Sequence, residues 1–209
     1  MTKKGIIFDL DGVICFTDEY HYLAWKEMAD GMGVYFDREI NNRLRGVSRM
    51  ASLEIILERY TGPALTNGEK EALATKKNDI YRKLLSRMSP ADLSDDVKTT
   101  LDALRAKGLK LAIGSSSKNA PFILERIGLA GYFDAISDGN NISRSKPNPE
   151  VFLKAAEFLG LQPIDCLVVE DAISGVNAAH AAGMDAAAVP TTFSKEALQE
   201  RVHPEYILD

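Results

Sequence analysis

Short apolar runs alternate with longer periodic stretches along most of this chain. Gly5 to Asp9 reads as a buried strand. From about Thr17 to Met88 every strong pattern is helical. Thr17, followed by Asp18 and Glu19, makes a helix start, and Gly31 or Gly33 a stop. Leu53, Ile56, Leu57 and Tyr60 recur at spacings of three and four, as do Ile80, Leu84 and Leu85. After Ser89-Pro90 the character changes. Val97 to Leu104 suggests a helix stopped at Gly108, and Leu109 to Ile113 a strand. Phe122 to Ile127 reads as a helix and Phe133 to Ile136 as a strand. Val151 to Leu159 is a helix and Cys166 to Val169 a strand, then Val176 to Ala182 a helix and Asp185 to Val189 a strand. Alternation of this kind predicts an α/β fold, a Rossmann-like doubly wound parallel sheet. The helical stretch interrupts the series straight after the first strand. It is therefore expected to be an inserted all-helical cap, or lid, over that strand's C-terminal end, where ligands bind in open α/β sheets. The expected division is a core of residues 1–16 and 89–209 and a cap of residues 17–88.

Composition narrows the function classes. The chain has 209 residues, 45% apolar and 26% charged, ample for a sizeable core. No run approaches the roughly 18 apolar residues of a membrane span. The apolar stretch after the N-terminus is too short for a signal-peptide core. Cys15 and Cys166 are the only cysteines, so no disulfide framework is expected. A cytoplasmic setting fits this usage. Thirty acidic residues against 25 Lys plus Arg give a net charge of -5, which argues against sequence-independent nucleic-acid binding.

Charged residues gather at the predicted strand ends. Asp9-Leu10-Asp11-Gly12 follows the first strand, and two carboxylates two residues apart can face one crevice. Alone, Asp-x-Asp-Gly is equally a loop whose carboxylates bond their own backbone. Glu170-Asp171 ends another strand, and alone it reads more readily as a helix cap. Parallel strands bring both pairs to one edge. Two like charges about 4 Å apart repel by roughly 4 kcal/mol at an effective dielectric near 20, so such a cluster calls for a cation. Hard oxygen ligands suit Mg²⁺, which shares its coordination with phosphate. Ser115-Ser116-Ser117-Lys118-Asn119 follows a further strand, and its hydroxyls and N–H groups can cradle a phosphate or simply cap a helix. Lys146 precedes Pro147 in a stretch stiffened by two prolines, where a fixed ammonium can offset charge between an acid and a phosphoryl group, although alone it reads as a surface lysine.

Taken in order, Asp9-Leu10-Asp11-Gly12-Val13, a Ser after the next strand, Lys146-Pro147 and Glu170-Asp171 resemble the haloacid dehalogenase superfamily of phosphoryl-transfer enzymes. The likeness spans essentially the whole chain. Glu19-Tyr20-His21, Ala24-Trp25-Lys26, Gly46-Val47-Ser48-Arg49, Lys77-Asn78-Asp79 and Ser117-Lys118-Asn119 are similar to the sugar-phosphate mutases within it. The resemblance implies that Asp9 is a nucleophile forming an aspartyl phosphate, and Asp11 a general acid and base. It implies Mg²⁺ held by Asp9, the carbonyl of Asp11, Glu170 and Asp171. Ser115, Ser116, Lys146 and N–H groups near Leu10 and Asp11 are then contacts of the transferring phosphoryl group. Arg49 with Ser117, Lys118 and Asn119 is implied for a distal phosphate, a task suited to the planar guanidinium. Gly46, Val47, Ser48, Ser52, Lys77, His21 and Trp25 complete the implied substrate set, although Trp25 equally suits the cap's own core.

One departure lies in the hinge. Members commonly carry Asp before the Thr that opens the first cap helix, and here that position is Phe16. The final strand is expected to be minimal, near Tyr206-Ile207-Leu208. The implied activity interconverts β-glucose 1-phosphate and glucose 6-phosphate through the aspartyl phosphate and a bisphosphate. The alternative is a sugar-phosphate phosphatase on the same core. A non-catalytic phosphate-binding protein is disfavoured because every charged core position is filled. Small sugar phosphates are the expected partners, with no nucleic acid or membrane. A monomer suffices for a lid that closes on its own core.

Overall fold

A computed structural model describes residues 3–44 and 48–208. The chain divides into two compact units, Met1–Phe16 with Met88–Asp209, and Thr17–Arg87. The first unit begins with β1 (Gly5–Phe8). The second unit holds α1 (Asp18–Asp30), α2 (Arg38–Asn42), α3 (Arg49–Leu57) and α4 (Asn67–Leu85). The first unit resumes with α5 (Asp95–Ala106), β2 (Lys110–Gly114), α6 (Ala120–Arg126), β3 (Ala135–Ser137) and α7 (Glu150–Leu159). It continues through β4 (Cys166–Glu170), α8 (Ile173–Ala181), β5 (Asp185–Ala188), α9 (Lys195–Val202) and β6 (Tyr206–Ile207).

The sheet runs β3-β2-β1-β4-β5-β6 and all its pairings are parallel. Each of its central strands must be apolar on both faces, because crossover helices cover both. β1 is buried at all four positions, and Ile7 lies between Ala112 and Val168. The crossover helices pack by one apolar stripe. In α7 the stripe is Val151, Phe152, Ala155, Ala156 and Leu159, all buried, and Gly160 ends the helix in the left-handed region. The register of β1 with β2 and β4 brings the residues after Phe8, Gly114 and Val169 to one sheet edge.

In the second unit, Trp25, Met28, Phe36, Leu53 and Ile56 form the core. α4 begins with a capping box, in which Thr66 accepts from the Glu69 N–H and Glu69 returns a bond to the Thr66 N–H. Its buried positions are Ala74, Lys77, Tyr81 and Leu85, at spacings of three and four. A lysine on a buried stripe is costly unless something offsets its charge.

Some elements differ from the sequence expectation. The polar α2, only five residues long, carries little periodicity. β3 begins at Ala135 rather than Phe133, because the Asp134 side chain, not a backbone carbonyl, accepts the Leu111 N–H at 2.8 Å. The final strand has two residues. Among the described residues, no helix is long and apolar enough to cross a membrane.

Candidate phosphoryl-transfer site

The first unit places its charged residues on the loops that leave the sheet. Asp9 continues the β1 ladder, its N–H donating to the Val169 carbonyl at 2.9 Å. The chain then turns tightly, with the N–H groups of Ile14 and Cys15 donating to the Leu10 carbonyl and that of Gly12 to Cys15. Gly12 has φ +87°, and a Cβ there would lie 2.1 Å from Asp171 Oδ2. Glycine is thus required twice at this point, for the backbone conformation and for the carboxylate pressed against it.

Lys146 joins the strand ends. Its Nζ donates to Asp9 Oδ1 at 2.5 Å and to Glu170 Oε1 at 2.6 Å. Glu170 is 1% exposed and Asp9 8%. The second oxygen of Glu170 accepts from the N–H groups of Asp171 and Ala172, at 2.8 and 2.7 Å. That fixes the carboxylate at the start of α8. Gly175 makes room for it, since a Cβ there would lie 1.8 Å from Glu170 Oε1.

Asp9, Glu170 and Asp171 each offer an oxygen, all within 4.8 Å of one another. Burial pushes Asp9 up to about 6, and the Glu170 charge adds to the rise while Lys146 opposes it. Asp171 is also pushed up to about 6, by burial first and then by the Asp9 charge. Glu170 is raised, again mainly by burial. Lys146 is held protonated: burial disfavours its charge, but Asp9 and Glu170 outweigh that. Three carboxylates gather here beside one ammonium, which bonds two of them. An all-oxygen cluster with surplus negative charge fits a hard divalent cation such as Mg²⁺.

The neighbouring loops bring up the other core residues. Ser115 is buried; its N–H extends the ladder to Ser137, and its hydroxyl accepts from the Ser117 N–H. The Ser117 hydroxyl accepts from the Asn119 N–H, which turns the chain into α6. Ser116 Oγ lies 3.5 Å from the Lys146 N–H, which donates to it. Lys118 is exposed, Asn119 buried, Leu10 buried and Asp11 half-buried.

The second unit holds a separate cationic cluster. Lys77 is 3% exposed, with Nζ 2.8 Å from His21 Nδ1 and 4.8 and 4.5 Å from the ring centroids of Trp25 and Tyr81. His21 stacks on Tyr81, and burial together with the charges of Lys77 and Arg49 holds it neutral, well below the usual histidine range. Its Nδ1 can therefore accept from the ammonium. Half-buried Arg49 donates to Asn78 Oδ1 at 2.9 Å. Ser52 is buried, Trp25 belongs to the unit's apolar core, and Ser48 caps α3 by accepting from the Ala51 N–H. Gly46 and Val47 lie outside the described residues. Phe16 is 67% exposed, whereas Thr17 is buried and accepts from the Tyr81 hydroxyl.

Sequence reading missed several supports. Glu150 accepts from the Ser143 N–H and hydroxyl and the Arg144 N–H, and these bonds hold it down at about 2. It thereby ties down the segment that leads into Lys146. Asp138 accepts from Asn140, whose side-chain amide donates to the Lys118 carbonyl, bracing the serine loop. Thr191 and Thr192 donate to Asp171. Spacing to a strand end gave no signal for these residues. Two glycines beside these loops offered the one weak signal: Gly175, and Gly139, where a Cβ would lie 2.5 Å from the Ser116 carbonyl oxygen.

A parallel sheet with a carboxylate, a lysine and an acidic pair at one edge is the layout of a phosphoryl-transfer enzyme. A family model described as haloacid dehalogenase-like hydrolase matches residues 3–183, and the chain belongs to that family. It is 44% identical over 189 residues to a β-phosphoglucomutase of Bacillus subtilis (strain 168), covering 89% of this chain and 83% of that protein. It is 35% identical over 183 residues to a fructose-1-phosphate phosphatase of Escherichia coli (strain K12), covering 87% and 94%. A crystal structure of β-phosphoglucomutase from Clostridium difficile superimposes with a TM-score of 0.88 at 33% identity, covering 100% of this chain and 91% of that one.

Proposed function

We propose that this protein is a Mg²⁺-dependent sugar-phosphate mutase that interconverts β-glucose 1-phosphate and glucose 6-phosphate. The observation that carries the reading is the Asp9–Lys146–Glu170 arrangement in a chain 44% identical to a β-phosphoglucomutase.

In this reading the Asp9 carboxylate attacks one phosphorus of a sugar bisphosphate, and the bond from that phosphorus to the sugar oxygen breaks, leaving a sugar monophosphate. The proton of Asp11 goes to the leaving oxygen. In the return direction Asp11 takes the proton of the free hydroxyl of a sugar monophosphate as that oxygen attacks the phosphoryl group on Asp9, and the bond from phosphorus to Asp9 breaks. The product is a bisphosphate, which reorients and returns a phosphoryl group to Asp9. Asp9 at about 6 is largely ionised at neutral pH, as a nucleophile must be. Lys146 offsets charge on Asp9 and on the equatorial oxygens that develop charge. Asp9, Glu170, Asp171 and the Asp11 carbonyl would hold Mg²⁺, which supplies further charge neutralisation at the phosphoryl oxygens. Leu10, Ser115 and Ser116 would contact the transferring group. Arg49, Lys77, His21, Ser117, Lys118 and Asn119 would contact the rest of the substrate.

The test follows two products. The protein is incubated with β-glucose 1-phosphate, Mg²⁺ and a trace of glucose 1,6-bisphosphate. Glucose 6-phosphate should form well in excess of free phosphate, and Asp9→Asn should abolish both. Phosphate release without isomerisation would replace the mutase by a phosphatase, the activity named for the 35%-identical relative.

A further inference from the structure

The segment after β5 reaches back to two other parts of the core. The Thr192 hydroxyl donates to Asp171 Oδ2. The Thr191 hydroxyl lies 2.7 Å from the Gly12 carbonyl and 3.2 Å from the same Asp171 oxygen. A hydroxyl has one proton. The shorter contact makes Gly12 the main acceptor for Thr191, with Asp171 sharing that proton weakly. Thr192 is then the principal donor to the carboxylate.

The consequence is geometric. Asp171 stands at a strand end, where its side chain has rotamers to choose from. Oδ2 is trapped between the threonine hydroxyls and the Cα of Gly12, where even a methyl group would not fit. Oδ2 accepts mainly from Thr192 and weakly from Thr191, which leaves Oδ1 as the oxygen to offer a cation. Thr191 meanwhile holds the turn that carries Asp11. One dipeptide therefore sets both an acidic ligand and the nucleophile loop.

We infer that Thr191 and Thr192 are positioning residues for the divalent cation. They hold the Asp171 carboxylate and the Asp9–Gly12 turn in the arrangement that binds it. The inference rests on the cation reading above. Partners that orient a ligating carboxylate are worth about 10- to 100-fold in metal affinity.

The experiment titrates full-length protein with Mg²⁺ alone, by calorimetry and by shift in melting temperature. Wild type is compared with T191V, T192V, and the double valine and double serine variants. Valine keeps the threonine shape and loses the hydroxyl, whereas serine keeps the hydroxyl and loses the methyl. The double valine variant is expected to bind Mg²⁺ about 10- to 100-fold more weakly. T192V should account for most of the loss, and double serine should match wild type. Wild-type affinity in the double valine variant, or an equal loss in double serine, overturns the inference alone. Absence of any Mg²⁺ response in the wild type overturns the cation reading and the inference with it.

Discussion

At the scale of the residue, Lys146 decides the electrostatics. Its ammonium is the shared partner of two buried carboxylates. Remove it and two negative charges face each other in a poorly hydrated setting, where such a pair cannot remain fully ionised. Lys146→Met keeps much of the side-chain volume and discards the charge. It should lower kcat by about 10²- to 10³-fold, the usual cost of one electrostatic contact to a developing oxyanion. A loss below tenfold in steady-state assays would mean that Lys146 serves only the fold. This residue was legible only in company: a lysine beside prolines is ordinarily a surface lysine, and the acidic pairs Asp9/Asp11 and Glu170/Asp171 with the serine loop are what pointed to it. Glu150 was not, since its value lies in three donors contributed by Ser143 and Arg144. Hydrogen bonds of that kind follow from loop conformation and leave no periodic trace. Lys77 lies between these cases: the family likeness pointed to it, but nothing in the sequence showed that it would be buried against His21 and two aromatic rings.

At the scale of the element, α8 shows a helix built around a carboxylate. Glycine in a helix interior costs about 1 kcal/mol relative to alanine. Propensity alone therefore predicts that Gly175→Ala stabilises the protein. The structure predicts the reverse, because the added methyl would sit 1.8 Å from Glu170 Oε1. Glu170 must leave the N–H groups of Asp171 and Ala172, or α8 must move off β4. Gly175→Ala should lower both the melting temperature and the Mg²⁺ affinity, read in the same thermal titration. A melting temperature raised by the substitution would show that Glu170 has slack. The strands were the most legible elements, since burial on both faces leaves continuous apolar runs such as Ile6-Ile7-Phe8. The five-residue α2 and the eight-residue α9 were the least legible. α9 buries only Leu198 and Val202, too few points to establish a helical period.

At the scale of the whole molecule, the two units carry opposite pH dependences. In the first, Asp9 and Asp171 sit at about 6 against an ordinary 3.8. Between those values the folded state holds protons that the unfolded chain has released. Their contribution is fully present below about pH 4 and is lost as pH rises through 6. In the second unit His21 lies well below 6.5. Its contribution is present above 6.5 and is lost as pH falls, because the unfolded chain gains a proton that the buried ring refuses. A divalent cation needs the acids ionised, so its stabilisation should grow as the acids' own contribution disappears. The rise in melting temperature on adding Mg²⁺ is therefore expected to be small at pH 5 and large at pH 7.5, turning near pH 6. His21→Gln removes the titrating ring and leaves the core acids untouched. It should flatten the loss of stability below pH 6.5 while preserving the Mg²⁺ profile. Melting curves from pH 5 to 8, with and without Mg²⁺, read both effects. A Mg²⁺ shift independent of pH would detach the cation from Asp9 and Asp171. An unchanged acid slope in His21→Gln would place the acid sensitivity on other groups.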